Sequence, residues 1–238
     1  MSVYPGNKQA RALAYSPKWG HIAVGSNFGK VSIRDFKDFD TKIQTLKNAE
    51  EWCEMIKYSP CEKYLATGSH DNQVYVYEIV DGKYNLYKNF NKHSSYVQAF
   101  DWSLDSTYIR SADGAYDKLY FNITTKQQDS AGLNNTKDME WASHSVKLGW
   151  DVQGVHPAGE DGTHVNHLTV SNDKSVVASG DDFGLVNIFR FPCNDNSSES
   201  RSYAAHSEHV IRVEFTEDGK RMFTIGGQDK ALIQWKKK

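Results

Sequence analysis

Apolar and β-branched residues along this chain come in short runs, and no helical period organises them. Ile22-Ala23-Val24-Gly25-Ser26 is followed, across a polar turn, by Val31-Ser32-Ile33, and Leu65-Ala66-Thr67-Gly68-Ser69 by Val74-Tyr75-Val76-Tyr77. Such runs, bounded by Gly, Asp and Asn, predict short strands joined by tight hairpins. The pattern also repeats. Ala14-Tyr15-Ser16-Pro17 and Lys57-Tyr58-Ser59-Pro60 open two equivalent units, and Gly68 lies 43 residues after Gly25. A third unit holds Asp101-Trp102-Ser103, Tyr108-Ile109-Arg110-Ser111 and Leu119-Tyr120-Phe121. A fourth runs through Val176-Val177-Ala178-Ser179-Gly180 and Val186-Asn187-Ile188-Phe189, and a fifth through Met222-Phe223-Thr224-Ile225-Gly226 and Leu232-Ile233-Gln234-Trp235.

A period of about 40 to 45 residues with four short strands in each unit is the mark of a β-propeller of WD40 type, because one such unit cannot bury both of its faces. The expected fold is therefore all-β, with five blades at about 10–45, 50–90, 93–125, 164–193 and 206–236 within one propeller segment spanning 1–238. Between Ser111 and Gly180 the period is broken by 26 extra residues. The segment 126–163 is read as an elaborated outer strand and an interblade insertion anchored by Trp141 and Trp150, since large aromatics in a connection usually tie it to a core. A second soft segment, 194–202, reads as an exposed loop. The last unit ends in its third strand, and Val3-Tyr4 is a poor substitute for a fourth. The expectation is an incomplete ring closed by further blades upstream or by another chain.

Composition narrows the function. Of 238 residues, 28 are basic and 30 acidic, and 13% are aromatic. That balance describes a folded domain without the field that a nucleic acid would require, and no run is apolar and long enough to span a bilayer. Neither nucleic acid nor membrane is an expected partner. Three cysteines, Cys53, Cys61 and Cys193, have no C-x-x-C spacing and read as reduced thiols rather than zinc ligands.

Several stretches resemble the echinoderm microtubule-associated protein-like family. They are Trp141-Ala142-Ser143, Leu148-Gly149-Trp150-Asp151-Val152-Gln153-Gly154-Val155-His156-Pro157 and Asp161-Gly162-Thr163, together with Gly68-Ser69-His70-Asp71-Asn72, His93-Ser94-Ser95, Gly180-Asp181-Asp182-Phe183-Gly184 and Phe191-Pro192-Cys193. They occur in one order from about residue 10 to 235. The resemblance implies the last five blades of the second of two tandem propellers, in proteins that usually carry a coiled-coil trimerisation segment and associate with microtubules. It implies a non-enzymatic scaffold with tubulin or microtubules as partner and a cytoplasmic, cytoskeletal location. The rival reading is a scaffold of a ciliary or signalling complex on the same fold.

Candidate chemistry is sparse. Asp182-Phe183-Gly184 spells a kinase magnesium motif, but no G-x-G-x-x-G, strand lysine or H-R-D segment accompanies it, so it reads as a turn. No G-x-S-x-G elbow exists for a hydrolase. His206 and His209 lack a third ligand at a metal-binding spacing, and no cofactor is expected. In blades of this type a histidine before the first strand commonly bonds an aspartate of the turn. His93 with Asp117 and His206 with Asp229 are the expected structural pairs, with Asp71 and Asp182 as further turn aspartates and Trp235 as the retained blade tryptophan. Lys8, Lys18, Lys30, Lys37 and Lys42 make the first unit locally basic and are the candidate partner surface.

Overall fold

The computed structural model describes residues 9–156 and 164–236. Lys8, Val3-Tyr4 and residues 157–163 of the insertion lie outside them. The chain forms two compact units, divided between Ala142 and Ser143.

The first unit holds three four-stranded antiparallel sheets, each a meander in chain order. Blade 1 consists of β1 (Ala10–Ser16), β2 (His21–Ser26), β3 (Val31–Asp35) and β4 (Lys42–Leu46). Blade 2 consists of β5 (Cys53–Tyr58), β6 (Tyr64–Ser69), β7 (Val74–Val80) and β8 (Lys83–Phe90). Blade 3 consists of β9 (Val97–Trp102), β10 (Tyr108–Asp113), β11 (Lys118–Asn122) and β12 (Gln127–Gln128), followed by a single helical turn, α1 (Gly132–Asn135). In the second unit, blade 4 comprises β13 (Val165–Val170), β14 (Val176–Asp181), β15 (Leu185–Arg190) and β16 (Ser200–Ala204). Blade 5 comprises β17 (Val210–Phe215), β18 (Arg221–Gly226) and β19 (Leu232–Lys236). β12 falls in the segment 126–163 that was read as holding an elaborated outer strand, whereas β16 lies beyond the bound of 193 expected for blade 4. β16 runs through the end of the segment expected to be loop. Its five residues are all exposed, so it carries no apolar alternation by which a strand could be recognised.

Each blade is written by the same local rules. The first strand ends in, or is followed at once by, a hydroxyl residue, Ser16, Ser59, Ser103, Ser171 or Thr216, and the hairpin that follows contains a residue at positive φ: Gly20, Glu62, Ser106, Lys174 or Gly219. In blades 2 to 5 that hydroxyl accepts the amide opening the second strand, from Tyr64 at 3.0 Å, Tyr108 at 2.8 Å, Val176 at 3.1 Å and Arg221 at 3.1 Å. The Ser-Pro pairs visible in the sequence are the start of this device, a serine or threonine turn that satisfies backbone donors where the ladder stops.

β18 of blade 5 alternates between buried and more exposed residues, but the second strands of blades 1 to 4 are buried along almost their whole length, completely so in β10, because packing covers both faces. Their sequences accordingly run apolar and small rather than alternating. In the first unit Ala23, Ile33, Cys53, Ile56, Leu65, Tyr75 and Tyr77 form one cluster, with β5 packed on β1 and β2, and β9 on β5 and β6. Polar links recur between neighbouring blades at nearly the repeat length. Trp19 Nε1 donates to the Glu62 carbonyl at 2.9 Å, Trp102 Nε1 to the Lys57 carbonyl at 3.2 Å, and the Cys61 amide to Ser106 Oγ at 3.1 Å. The Gln44 side chain closes a second seam, donating to the Tyr84 carbonyl at 2.7 Å and accepting its amide at 2.9 Å. Asp101, fully buried, lies 3.0 Å from Lys57 Nζ and 3.2 Å from Arg110 Nε. A buried carboxylate without such partners would cost several kcal/mol, on the order of 3 to 5.

The insertion divides its two tryptophans. Trp141 pairs with Ser103 through an isolated bridge, stacks under the Arg110 guanidinium at 4.5 Å and meets Tyr120 at 6.4 Å. Trp150 is 67% exposed and anchors nothing, contrary to the expectation for it. In its place Val152 and Val155, around a short 3₁₀ turn at Gln153–Val155, join one hydrophobic cluster of the second unit with Leu168, Val177, Phe189 and Cys193. Backbone bonds fasten the segment: Gly154 N–H donates to the Cys193 carbonyl and Cys193 N–H to the Asp151 carbonyl, both at 2.8 Å. The peptide bond between Phe191 and Pro192 is cis.

Candidate protein-interaction surface

The turn between the second and third strands is built around one position, the last residue of the second strand. It is occupied by Ser26, Ser69, Asp113, Asp181 and Gly226 in the five blades. In blade 3 Asp113 Oδ1 accepts the amides of Ala115 at 3.0 Å and Asp117 at 2.9 Å, while its Oδ2 lies 3.1 Å from His93 Nδ1. His93 Nε2 is 2.7 Å from Ser111 Oγ. The partner of His93 is therefore Asp113, not Asp117. Asp117 is exposed and accepts the Ser94 hydroxyl, at 2.9 Å. In blade 4 the strand residue again holds the turn, since Asp181 accepts the Phe183 and Leu185 amides, each at 2.9 Å. Asp182 is exposed and accepts Asn166 Nδ2 at 2.8 Å. Only the strand residue points back under the turn.

Blade 5 reaches the same arrangement from another position. Gly226 has no side chain, and a Cβ there would come 1.9 Å from Asp229 Oδ1. The Asp229 carboxylate occupies that space, accepting the Ala231 amide at 2.9 Å and lying 2.9 Å from His206 Nδ1. His206 Nε2 is 2.8 Å from Thr224 Oγ1, to which Trp235 Nε1 donates at 2.9 Å. Asp71 in blade 2 serves differently: it accepts the Glu50 amide at 3.0 Å and the Tyr75 hydroxyl at 2.9 Å. Ser111, His93, Asp113, Thr224 and His206 are all buried, and these chains act as braces for the turns.

Burial lowers the pKa of His93, and Asp113 opposes that shift without overcoming it. Burial pushes the Asp113 carboxyl up, but the Asp117 and Ala115 amides and His93 outweigh it and hold it below the usual carboxylate range. The result is a neutral imidazole on an ionised carboxylate. Desolvation similarly pushes the Cys53 thiol far up, so it is an inert core residue. Among the described residues no group of three His, Cys, Asp or Glu is arranged to hold a metal ion, and no helix is long and apolar enough to cross a membrane.

The lysines do not share a face. In an antiparallel meander the first and third connections lie at one end of a blade and the second at the other. Lys18 and Lys37 sit in the first and third connections, and Lys42 opens β4 beside them, whereas Lys30 lies in the second connection at the opposite end. Asp35, Asp38 and Asp40 are interleaved with the first three. The opposite end of blades 1 to 3 carries an aromatic ladder that has no local sequence signature. Arg11 lies 3.9 Å over the Trp52 ring, Trp52 meets His70 at 5.0 Å, and His70 stacks on Tyr96 at 4.6 Å. Trp52 and Tyr96 remain 38% exposed. The four residues stand far apart in sequence, and only the loops that bring successive blades together align them.

Comparison with known proteins agrees with the architecture. The family model for the second β-propeller of echinoderm microtubule-associated proteins matches residues 2–237. The chain belongs to that family. It is 36% identical over 228 residues to the 77 kDa echinoderm microtubule-associated protein of Lytechinus variegatus, covering 94% of this chain and 34% of that protein. To the human echinoderm microtubule-associated protein-like 4 it is 35% identical over 93% of the chain and 23% of the relative. The ciliary WD repeat-containing protein ctxp80 of Euplotoides octocarinatus is 41% identical over the entire chain and 33% of its own length. The chain thus spans about a quarter to a third of these relatives. At the level of fold, the β-propeller domain of Cps50 (Swd1) from Myceliophteria thermophila aligns with a TM-score of 0.58 at 16% identity, covering 95% of this chain and 65% of that one. A chain of the mitotic checkpoint complex aligns at 0.59, also at 16% identity, over 98% and 63%.

Proposed function

We propose that this chain is a non-enzymatic protein-interaction scaffold of a microtubule-associated protein, with tubulin as its partner in a cytoskeletal location. The observation that carries this reading is the match of residues 2–237 to a propeller of that family, with relatives named for microtubule association aligned over nearly the whole chain. The docking surface in this reading is the end of blades 1 to 3 that carries Trp52, His70 and Tyr96. Partly exposed aromatics supply much of the energy at protein interfaces, and the lysines are split between two ends and interleaved with acids. The test is co-sedimentation with polymerised tubulin. The chain is expected in the pellet, and Trp52→Ala with Tyr96→Ala is expected to return it to the supernatant. Retention of the parent chain in the supernatant at all tubulin concentrations overturns the reading. The 41% identity to a ciliary protein favours, as second reading, a role in a ciliary assembly. Capture of ciliary components other than tubulin by a chain that fails to pellet would select it.

A further inference from the structure

The outer strands of blades 2 and 3 leave a concavity of about 390 Å³ that the reading above does not use. Lys88 and Lys92 line one side, at the end of β8 and just beyond it, and Lys126 lines the other, just before β12. The carboxamides of Asn89, Asn91, Gln127 and Gln128 complete the walls, and no carboxylate is among the lining residues. Both strands are edges: β8 is hydrogen-bonded to β7 alone and β12 to β11 alone. Apart from Tyr84, whose backbone amide and carbonyl are taken by the Gln44 side chain, the outer side of each is an unpaired edge among the described strands. Lys126 is held in place, with its Nζ 3.7 Å from the centroid of the Tyr87 ring, and the Tyr87 hydroxyl donates to the Ile123 carbonyl at 3.3 Å. A cation fixed in this way loses less freedom on binding.

We propose that this groove binds an extended acidic peptide segment of a partner protein. The three ammonium groups match spaced carboxylates, the carboxamides match peptide groups, and an open strand edge adds backbone pairing to the charge complementarity. A nucleic acid fits less well. The groove has no arginine fork for phosphate, and Phe90 is buried rather than offered as a platform for bases. The proposal is independent of microtubule binding and stands or falls separately.

The test is fluorescence anisotropy of a labelled, end-blocked ten-residue glutamate-rich peptide titrated with the full chain. Saturable binding that weakens between 50 and 200 mM salt is expected, for roughly three ion pairs at an exposed site. The triple variant K88E/K92E/K126E is expected to weaken it at least about tenfold, whereas K18E/K37E/K42E changes it by less than about twofold. K92E alone, at an exposed loop residue that leaves the sheet untouched, is expected to weaken binding about threefold and covers the case of a misfolded triple variant. Absence of saturable binding to the parent, equal loss in both triple variants, or tighter binding of an equally charged oligothymidylate would each overturn the proposal.

Discussion

Asp113 shows what decides a role at the scale of one residue. It and Asp117 stand four apart in the same hairpin, both acidic and both near His93, yet the first is buried beneath the turn and the second faces water. Removing the Asp113 carboxylate would strand three amides, those of Ser95, Ala115 and Asp117, and an imidazole. Asp113→Ala should cost about 1 to 3 kcal/mol in a denaturant titration, and Asp117→Ala less than about 0.5. Equal costs would refute the assignment. The same pair sets an acid response. The His93 pKa is lowered in the fold, so the unfolded chain binds its proton more readily, and that stability is present above pH about 6.5 and lost as pH falls below it. Asp113, also lowered, contributes above its unfolded value near 3.8 and loses its share below that. Melting temperatures between pH 8 and 5 should therefore fall from near 6.5 downward. His93→Asn, less stable at pH 8, should lose less over the same range. His21 and His156, whose pKa values burial also lowers, would account for the remainder.

At the scale of the element, the tight turns and the insertion behave as distinct structures. Asp182-Phe183-Gly184 spells a catalytic motif but is a hairpin. Gly184 has φ of +77°, and a Cβ would come 2.5 Å from the His206 carbonyl oxygen. Gly184→Ala should destabilise the chain by about 1 to 3 kcal/mol through strain and that contact, read as a shift in urea midpoint. No change would mean that the turn can relax. The two tryptophans of the insertion make an internal comparison. Trp141, sandwiched against Arg110 and Tyr120, should cost about 1 to 3 kcal/mol on replacement by Ala, and exposed Trp150 less than about 0.5. The reverse order would restore Trp150 as the anchor. Trp150 was misread because an aromatic in a connection carries no periodicity that distinguishes inward from outward, and the small residues Val152 and Val155 fit the core that it leaves.

At the scale of the whole molecule, function is a property of surfaces assembled from separate blades. The ladder Arg11, Trp52, His70 and Tyr96 takes its members from four connections or strand ends, and the lysine groove takes its own from two outer strands. Co-sedimentation of two variants tests the first of these surfaces. Trp52→Ala with Tyr96→Ala should abolish pelleting with microtubules, while K18E/K37E/K42E, at the other end of blade 1, should retain most of it. Loss on lysine reversal with the aromatic variant unaffected would move the contact to the opposite end.

The amino-acid sequence by itself determined the repeat, the strands and the turns. Hydroxyl residues at Ser16, Ser59, Ser103, Ser171 and Thr216, followed by apolar runs ending near Gly or Asp, act within a dozen residues, where backbone hydrogen bonding and turn chemistry are local. It also carried the family resemblance, because the stretches around Trp141 to Thr163 can be read without knowing what they touch. Only the tertiary structure decided that Asp113 rather than Asp117 meets His93, that Asp229 takes over where Gly226 has no side chain, and that Lys30 parts from Lys18, Lys37 and Lys42. Each of these depends on which side of a pleated strand a residue faces, or on which end of a sheet a connection lies. Strand direction and the close approach of neighbouring blades set both, across separations of about forty residues that no local pattern records.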